Sequence, residues 1–93
     1  MNMDEIAIQM REKVSASDFD RSVKFDCGAD GTVLIDGNTV STDDGPADCV
    51  IRLAKEDLEA MVAGKLDPTA AFMQGKLKID GDMSVAMQLS QVI

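Results

Sequence analysis

The side chains able to do chemistry are few, and none is arranged to do it. Histidine is absent from the 93 residues. That removes the commonest general base and the commonest metal ligand. Cys27 and Cys49 without histidine cannot make an ordinary zinc site. Gly64-Lys65 and Gly75-Lys76 suggest a phosphate loop, but Leu66 and Leu77 follow where Ser or Thr is required. The preceding glycine is missing too, since Glu59 and Ala70 occupy its place. Asp18, Asp20 and Ser22 fall at calcium-loop spacing. Val23 replaces the turn glycine and Ala29 the closing glutamate, so the loop fails. The paired carboxylates Asp43-Asp44 and Asp80/Asp82 lie in turn-rich, solvated segments, and Asp82 reads as a helix cap. An acid–base pair would need burial to drive its two pKa values apart. Gln74, between Met73 and Gly75, is the one polar residue placed among apolar ones where it could orient a ligand group; the plain alternative is a solvated helix end. The expectation is a protein that is not an enzyme and carries no cofactor or metal.

The elements that hold these residues follow from periodicity. Met3, Ile6, Met10 and Val14 form one helical stripe, with Asn2 as N-cap and Asp4 and Glu5 at the positive end. Residues 15–21 form a polar connector anchored by Phe19. Val23, Phe25 and Cys27 alternate with polar residues, so residues 22–27 read as a half-buried strand. Residues 29–31 turn the chain, residues 32–35 form a second strand, and residues 39–41 a short third. Cys49, Ile51 and Leu53 alternate in a fourth. One wet face per strand indicates a mainly antiparallel sheet. Leu58, Met61 and Val62 mark a short helix ending near Gly64. Asp67-Pro68 opens another, through Phe72 to Gly75. Leu77 and Ile79 alternate in a fifth strand. Asp82 caps a last helix carrying Met83, Val85, Ala86, Met87 and Leu89. Strands cluster early and helices late, which predicts an α+β domain spanning residues 1–93. The two cysteines share the buried sheet face with Phe25 and Ile51, where their expected role is packing as reduced thiols in a cytosolic protein.

Composition narrows the partners. Seventeen acidic and nine basic residues give a net charge of −8. That argues against nucleic acid and against electrostatic docking on anionic membranes. Seven methionines and only three aromatic residues, all Phe, leave a soft apolar layer that can repack around variable partners. No run approaches transmembrane length and no secretory leader is apparent.

Residues 47–89 resemble the sterol carrier protein type 2 family, the sterol-binding domain. The resemblance rests on Ala47-Asp48-Cys49, Asp57-Leu58, Met61, the run from Gly64 to Pro68, the run from Ala71 to Ile79, Gly81-Asp82-Met83 and the run from Ala86 to Leu89. It implies a five-stranded, mostly antiparallel sheet with helices over one face and an apolar tunnel between them. It also implies non-enzymatic binding and transfer of a lipid. The residues expected to line the tunnel are Phe25, Ile35, Cys49 and Ile51 from the early strands, and Met61, Phe72, Met73 and Gln74 from the short helices. Leu77 and Ile79 come from the last strand, Met83 and Met87 from the last helix, which the resemblance extends from Met83 to Val92 and which closes the cavity. The ending Gln91-Val92-Ile93 lacks the peroxisomal tripeptide of eukaryotic carriers, so a small bacterial-type cytosolic monomer is expected. For such a form fatty acid, fatty acyl-CoA or phospholipid is a better ligand than sterol. Transient membrane or enzyme contact is expected. The resemblance also allows an accessory role beside an enzyme of lipid or quinone biosynthesis.

Overall fold

A computed structural model describes residues 2–92. Helix α1, Met3–Ser15, opens with the Asn2 side chain accepting from the Glu5 amide at 2.8 Å and buries Ile6, Ala7, Met10 and Val14. Strands β1 (Ser22–Asp26), β2 (Thr32–Asp36), β3 (Thr39–Ser41) and β4 (Cys49–Arg52) follow, with one 3-10 turn at Gly28–Asp30. Then come α2 (Lys55–Val62), α3 (Pro68–Met73), β5 (Lys78–Gly81) and α4 (Met83–Ser90). The sheet has five strands in the order β3-β2-β1-β4-β5. Every neighbouring pair is antiparallel except β1 and β4, which run parallel with Val23 opposite Cys49 and Phe25 opposite Ile51.

The alternation seen in the sequence sets the two faces. Val23, Phe25, Val33, Ile35, Cys49 and Ile51 are all buried, because the helices cover one side only. α1 lies against β2 and β3, and α4 lies against β1, β4 and β5. The other side carries exposed ion pairs. Arg52 reaches Asp80 at 3.5 Å and Asp26 at 3.9 Å, and Lys24 reaches Asp44 at 2.8 Å. Such pairs contribute little each. They keep this face wet while apolar burial on the other side supplies the stability. No helix among the described residues is long and apolar enough to cross a membrane.

Two boundaries differ from the sequence reading. Leu77, expected inside the fifth strand, precedes it. The Lys76 amide bonds back to the Ala71 carbonyl at 2.9 Å and Gly75 takes φ +75°, so the chain is still turning there. α4 stops at Ser90 rather than continuing toward Val92.

Cys27 and Cys49 are both buried and free. Register explains why they cannot pair. Cys49 stands beside Val23, and Cys27 lies four residues beyond Val23, just past the end of β1, about 13 Å at roughly 3.3 Å per residue. A disulfide needs Cα atoms within about 7 Å. Burial, then Asp30 and Asp26, pushes the Cys27 thiol up to about 11. Burial, then Asp82 and Asp80, also raises Cys49. Two free thiols per chain are therefore expected after denaturation without reductant. In the folded protein both should react far more slowly with a disulfide reagent at pH 8, because little thiolate is present. Equal rates in folded and unfolded protein would contradict the packing.

Candidate functional site

The helix-covered side of the sheet divides into two halves. Under α1 the layer is filled by Ile6, Met10 and Val14 above Ile35 and Val40, all within 2% of complete burial. Under α4 it is hollow. Phe25, Ile51 and Ile79 stand opposite one another across three adjacent strands and form a floor. Met61 of α2 closes one side, with Pro68, Thr69 and Phe72 of α3 and then Leu77. Met83, Ala86, Met87, Leu89 and Ser90 of α4 form the roof. The cavity measures ≈ 160 Å³.

The walls owe their positions to local signals. The Asp67 carboxylate accepts from the Thr69 amide at 3.1 Å, and Pro68 occupies the first turn, so α3 starts where its Phe72 can reach the cavity. Asp82 caps α4, accepting from the Ser84 amide at 3.0 Å and hydroxyl at 2.7 Å. These Ser84 bonds, with help from the Arg21 guanidinium at 3.8 Å, hold its carboxyl below the ordinary aspartate value. Gly81, just before the cap, lets β5 close against β4. A Cβ at this position would stand 2.6 Å from the Asp48 carbonyl oxygen.

Met83, Ala86, Met87 and Ser90 repeat at i, i+3, i+4 and i+7 and so present one face of α4 to the cavity. The mouth is open. Phe72 and Met83 are each 43% exposed and Met87 is 64% exposed. No charged side chain lines the cavity among the described residues, and its side-chain hydroxyls are those of Thr69 and Ser90. Ser90 spends its proton on the Met87 carbonyl at 2.7 Å. This environment can exclude water from an apolar molecule. The lining offers no base, thiol or carboxylate to transform one.

Of the residues singled out from sequence, the structure brings together Phe25, Ile51, Met61, Phe72, Leu77, Ile79, Met83 and Met87. It places four elsewhere. Ile35 is packed in the filled half under α1, and Cys49 is buried beside Val23, two residue pairs along the strands from the cavity floor. Met73 is 80% exposed and Gln74 caps the end of α3 in solvent, because a six-residue helix can turn only part of its surface inward. Pro68, Thr69, Ala86, Leu89 and Ser90 were not anticipated. The i, i+3, i+4, i+7 spacing from Met83 would have found Ala86 and Ser90. A second depression near α1, larger at ≈ 360 Å³ but more open, is lined by Asp4, Arg11 and Asp43 among others, and those charges suit water rather than an apolar guest.

Comparison with known proteins agrees with this fold. Residues 8–93 match the model of the SCP-2 sterol transfer family. Sterol carrier protein 2 of Bos taurus is 41% identical over 70 residues, which is 70% of this chain; the match spans only 13% of the cattle protein. The crystal structure of sterol carrier protein 2 like 2 from Aedes aegypti superposes with a TM-score of 0.80 at 20% identity, covering 97% of this chain and 94% of that one. The solution structure of Aedes aegypti sterol carrier protein 2, a complex with the C16 fatty acid palmitate, gives 0.75 at 17% identity, covering 95% and 90%.

Proposed function

Since the chain belongs to the SCP-2 sterol transfer family, we propose that it binds one acyl lipid in the cavity under α4 and carries it without chemical change. The ligand class is fatty acid, fatty acyl-CoA or phospholipid, with sterol a poorer fit. The unit that acts is the single domain 1–93, working as a monomer in the cytoplasm, a location that suits two unpaired thiols. The observation that carries this reading is an open apolar cavity with no charged lining. The palmitate held by the Aedes aegypti protein of the same fold supports it.

Size decides how the ligand sits. An apolar cavity of about 150 Å³ accepts a six-carbon ring, so ≈ 160 Å³ accepts a similar length of chain without rearrangement. Low micromolar binding needs about ten methylenes at about 0.8 kcal/mol each, roughly 8 kcal/mol. The extra room must come from the rim. Met83 and Met87, with flexible thioether side chains, can swing outward to admit a longer chain. Titration with saturated fatty acids of increasing length tests this. Affinity is expected to rise about fourfold per added methylene, then level off once the chain emerges from the mouth. No saturable binding at any length, with acyl-CoA and phospholipid equally inert, would overturn the carrier reading.

A second reading has its own support. This chain spans 13% of the cattle relative, and apolar side chains stand exposed at the mouth. Those two facts fit an accessory domain whose cavity face is covered by a lipid or quinone biosynthesis enzyme. Lipid binding by the isolated chain favours the carrier.

A further inference from the structure

Sulfur is unevenly placed in this chain. Among the described residues, Met10 and Met61 are buried and Met3 is packed against the core. Cys27 and Cys49 are buried as well, and their raised thiol pKa values leave little thiolate for an oxidant. The exposed sulfur-bearing side chains are the thioethers Met73, Met83 and Met87. All three stand on α3 or α4. Met83 and Met87 also line the cavity, one helical turn apart on the same face of α4, whereas Met73 does not. A guest chain and the solvent therefore meet at these two side chains.

A thioether needs no deprotonation to react with a peroxide. A sulfur lone pair takes the terminal oxygen of the hydroperoxide, so the S–O bond forms as the O–O bond breaks. The hydroxyl proton passes to the departing oxygen, which leaves as water or an alcohol. Sulfur gives up two electrons and the peroxide gains them. The product sulfoxide is polar, and reductases specific for each epimer return it to the thioether. We propose that Met83 and Met87 are a peroxide-sensitive modification site, at which reversible sulfoxide formation shortens the acyl chain that the protein will hold. The inference rests on the carrier reading and adds to it a means of control.

The cavity of ≈ 160 Å³ takes about six carbons, and the rest of a longer chain lies against the rim. A sulfoxide oxygen kept against that chain gives up its hydrogen bonds with water. Both side chains are already part exposed, so the oxidised group turns outward and uncovers the chain. Each withdrawal exposes about one methylene, about fourfold in affinity, so about sixteenfold for the two. A chain short enough to stay inside the cavity loses nothing. The converse follows from the same contacts. A chain that reaches the rim shields both thioethers, while Met73, outside the cavity, stays open to peroxide. The empty carrier is thus the form that is oxidised.

Hydrogen peroxide titrated onto the full chain, with oxygen uptake mapped by peptide mass spectrometry, tests the proposal. Met73, Met83 and Met87 should each gain one oxygen while Met10, Met61 and both cysteines stay unmodified. Palmitate at about ten times its Kd leaves about a tenth of the protein empty, so oxidation at Met83 and Met87 should slow about tenfold with Met73 unaffected. In the oxidised protein palmitate affinity should fall about sixteenfold. Hexanoate affinity should stay the same, which also shows the fold intact. Sulfoxide reductases for both epimers should restore palmitate affinity. Treated and untreated samples of Met83→Leu/Met87→Leu should bind palmitate alike, because no sulfur remains at the rim. Met73→Leu should respond to peroxide as wild type does. Unchanged palmitate affinity in protein carrying both sulfoxides overturns the proposal. A parallel loss of hexanoate affinity does so too, since oxidation would then loosen the fold rather than strip the rim. So does peroxide sensitivity in the double leucine variant, or a loss that the reductases cannot reverse. No palmitate binding before any peroxide is added defeats the carrier reading first, and this inference with it.

Discussion

Ala86→Phe should abolish acyl-lipid binding and leave the protein folded. Ala86 is 6% exposed and sits in the roof of the cavity, facing the Phe25–Ile51–Ile79 floor. A phenyl ring on its Cβ would occupy the space an apolar six-carbon guest would take in a cavity of this size. Filling a cavity with a group of matching size tends to raise stability. The expected result is therefore at least a tenfold loss of fatty-acid affinity with an equal or higher melting temperature, read by fluorescence titration and thermal circular dichroism. Met87→Glu is the instructive contrast. Met87 also lines the cavity, and a carboxylate buried there would be costly to desolvate. With Met87 64% exposed, the carboxylate can remain in water and avoid the desolvation penalty. A loss of only a few-fold is expected. Normal binding by Ala86→Phe would remove the space under α4 from consideration as the site.

The second large effect is on folding. Gly81→Ala places a Cβ 2.6 Å from the Asp48 carbonyl oxygen, a backbone atom that no side-chain rotation can move aside. Gly81 also has φ +104°, where a side chain is strained. Strain of this kind costs about 1–3 kcal/mol before the clash is counted, and for a domain of this size each kcal/mol lowers the melting temperature by roughly 4–8 °C. A fall of more than about 10 °C is expected on that scale. Gly75→Ala supplies the control. At φ +75° with nothing within 4 Å of the new Cβ, it carries only the conformational cost, about 1 kcal/mol. If the two variants melt together, the approach of β5 to Asp48 is not what holds that edge of the sheet.

The contrast between the two halves of the apolar layer shows what the sequence can carry. Alternation at Val23, Phe25, Cys49 and Ile51 determines which side of each strand is buried, and the caps at Asn2, Asp67 and Asp82 mark helix starts. Neither signal names a strand's neighbour, so the parallel pairing of β1 with β4 lay outside their reach. Ile35 and Ile51 look alike in sequence. One meets α1 and the other a cavity, because helix placement over the sheet is decided by contacts distant along the chain. A filled layer and a hollow one require the same apolar periodicity. The family resemblance, not the pattern, pointed to a hollow. Met73 and Gln74 were drawn toward the site by their neighbours in sequence, but α3 is too short to turn them inward.

That shortness has a further consequence. α3 buries a single side chain, Ala71, whereas α1 buries four. Segments with little buried surface open locally at free energies well below that of global unfolding. The backbone amides of α3 should therefore trade their hydrogens for deuterium through brief excursions that leave the β1–β4 ladder protected. A bound chain touching Phe72 favours the closed form in proportion to its occupancy and should slow this exchange selectively. The wall of the cavity is then also its door. Loading and release would proceed at the rate of a local fluctuation, with the sheet beneath as a fixed floor.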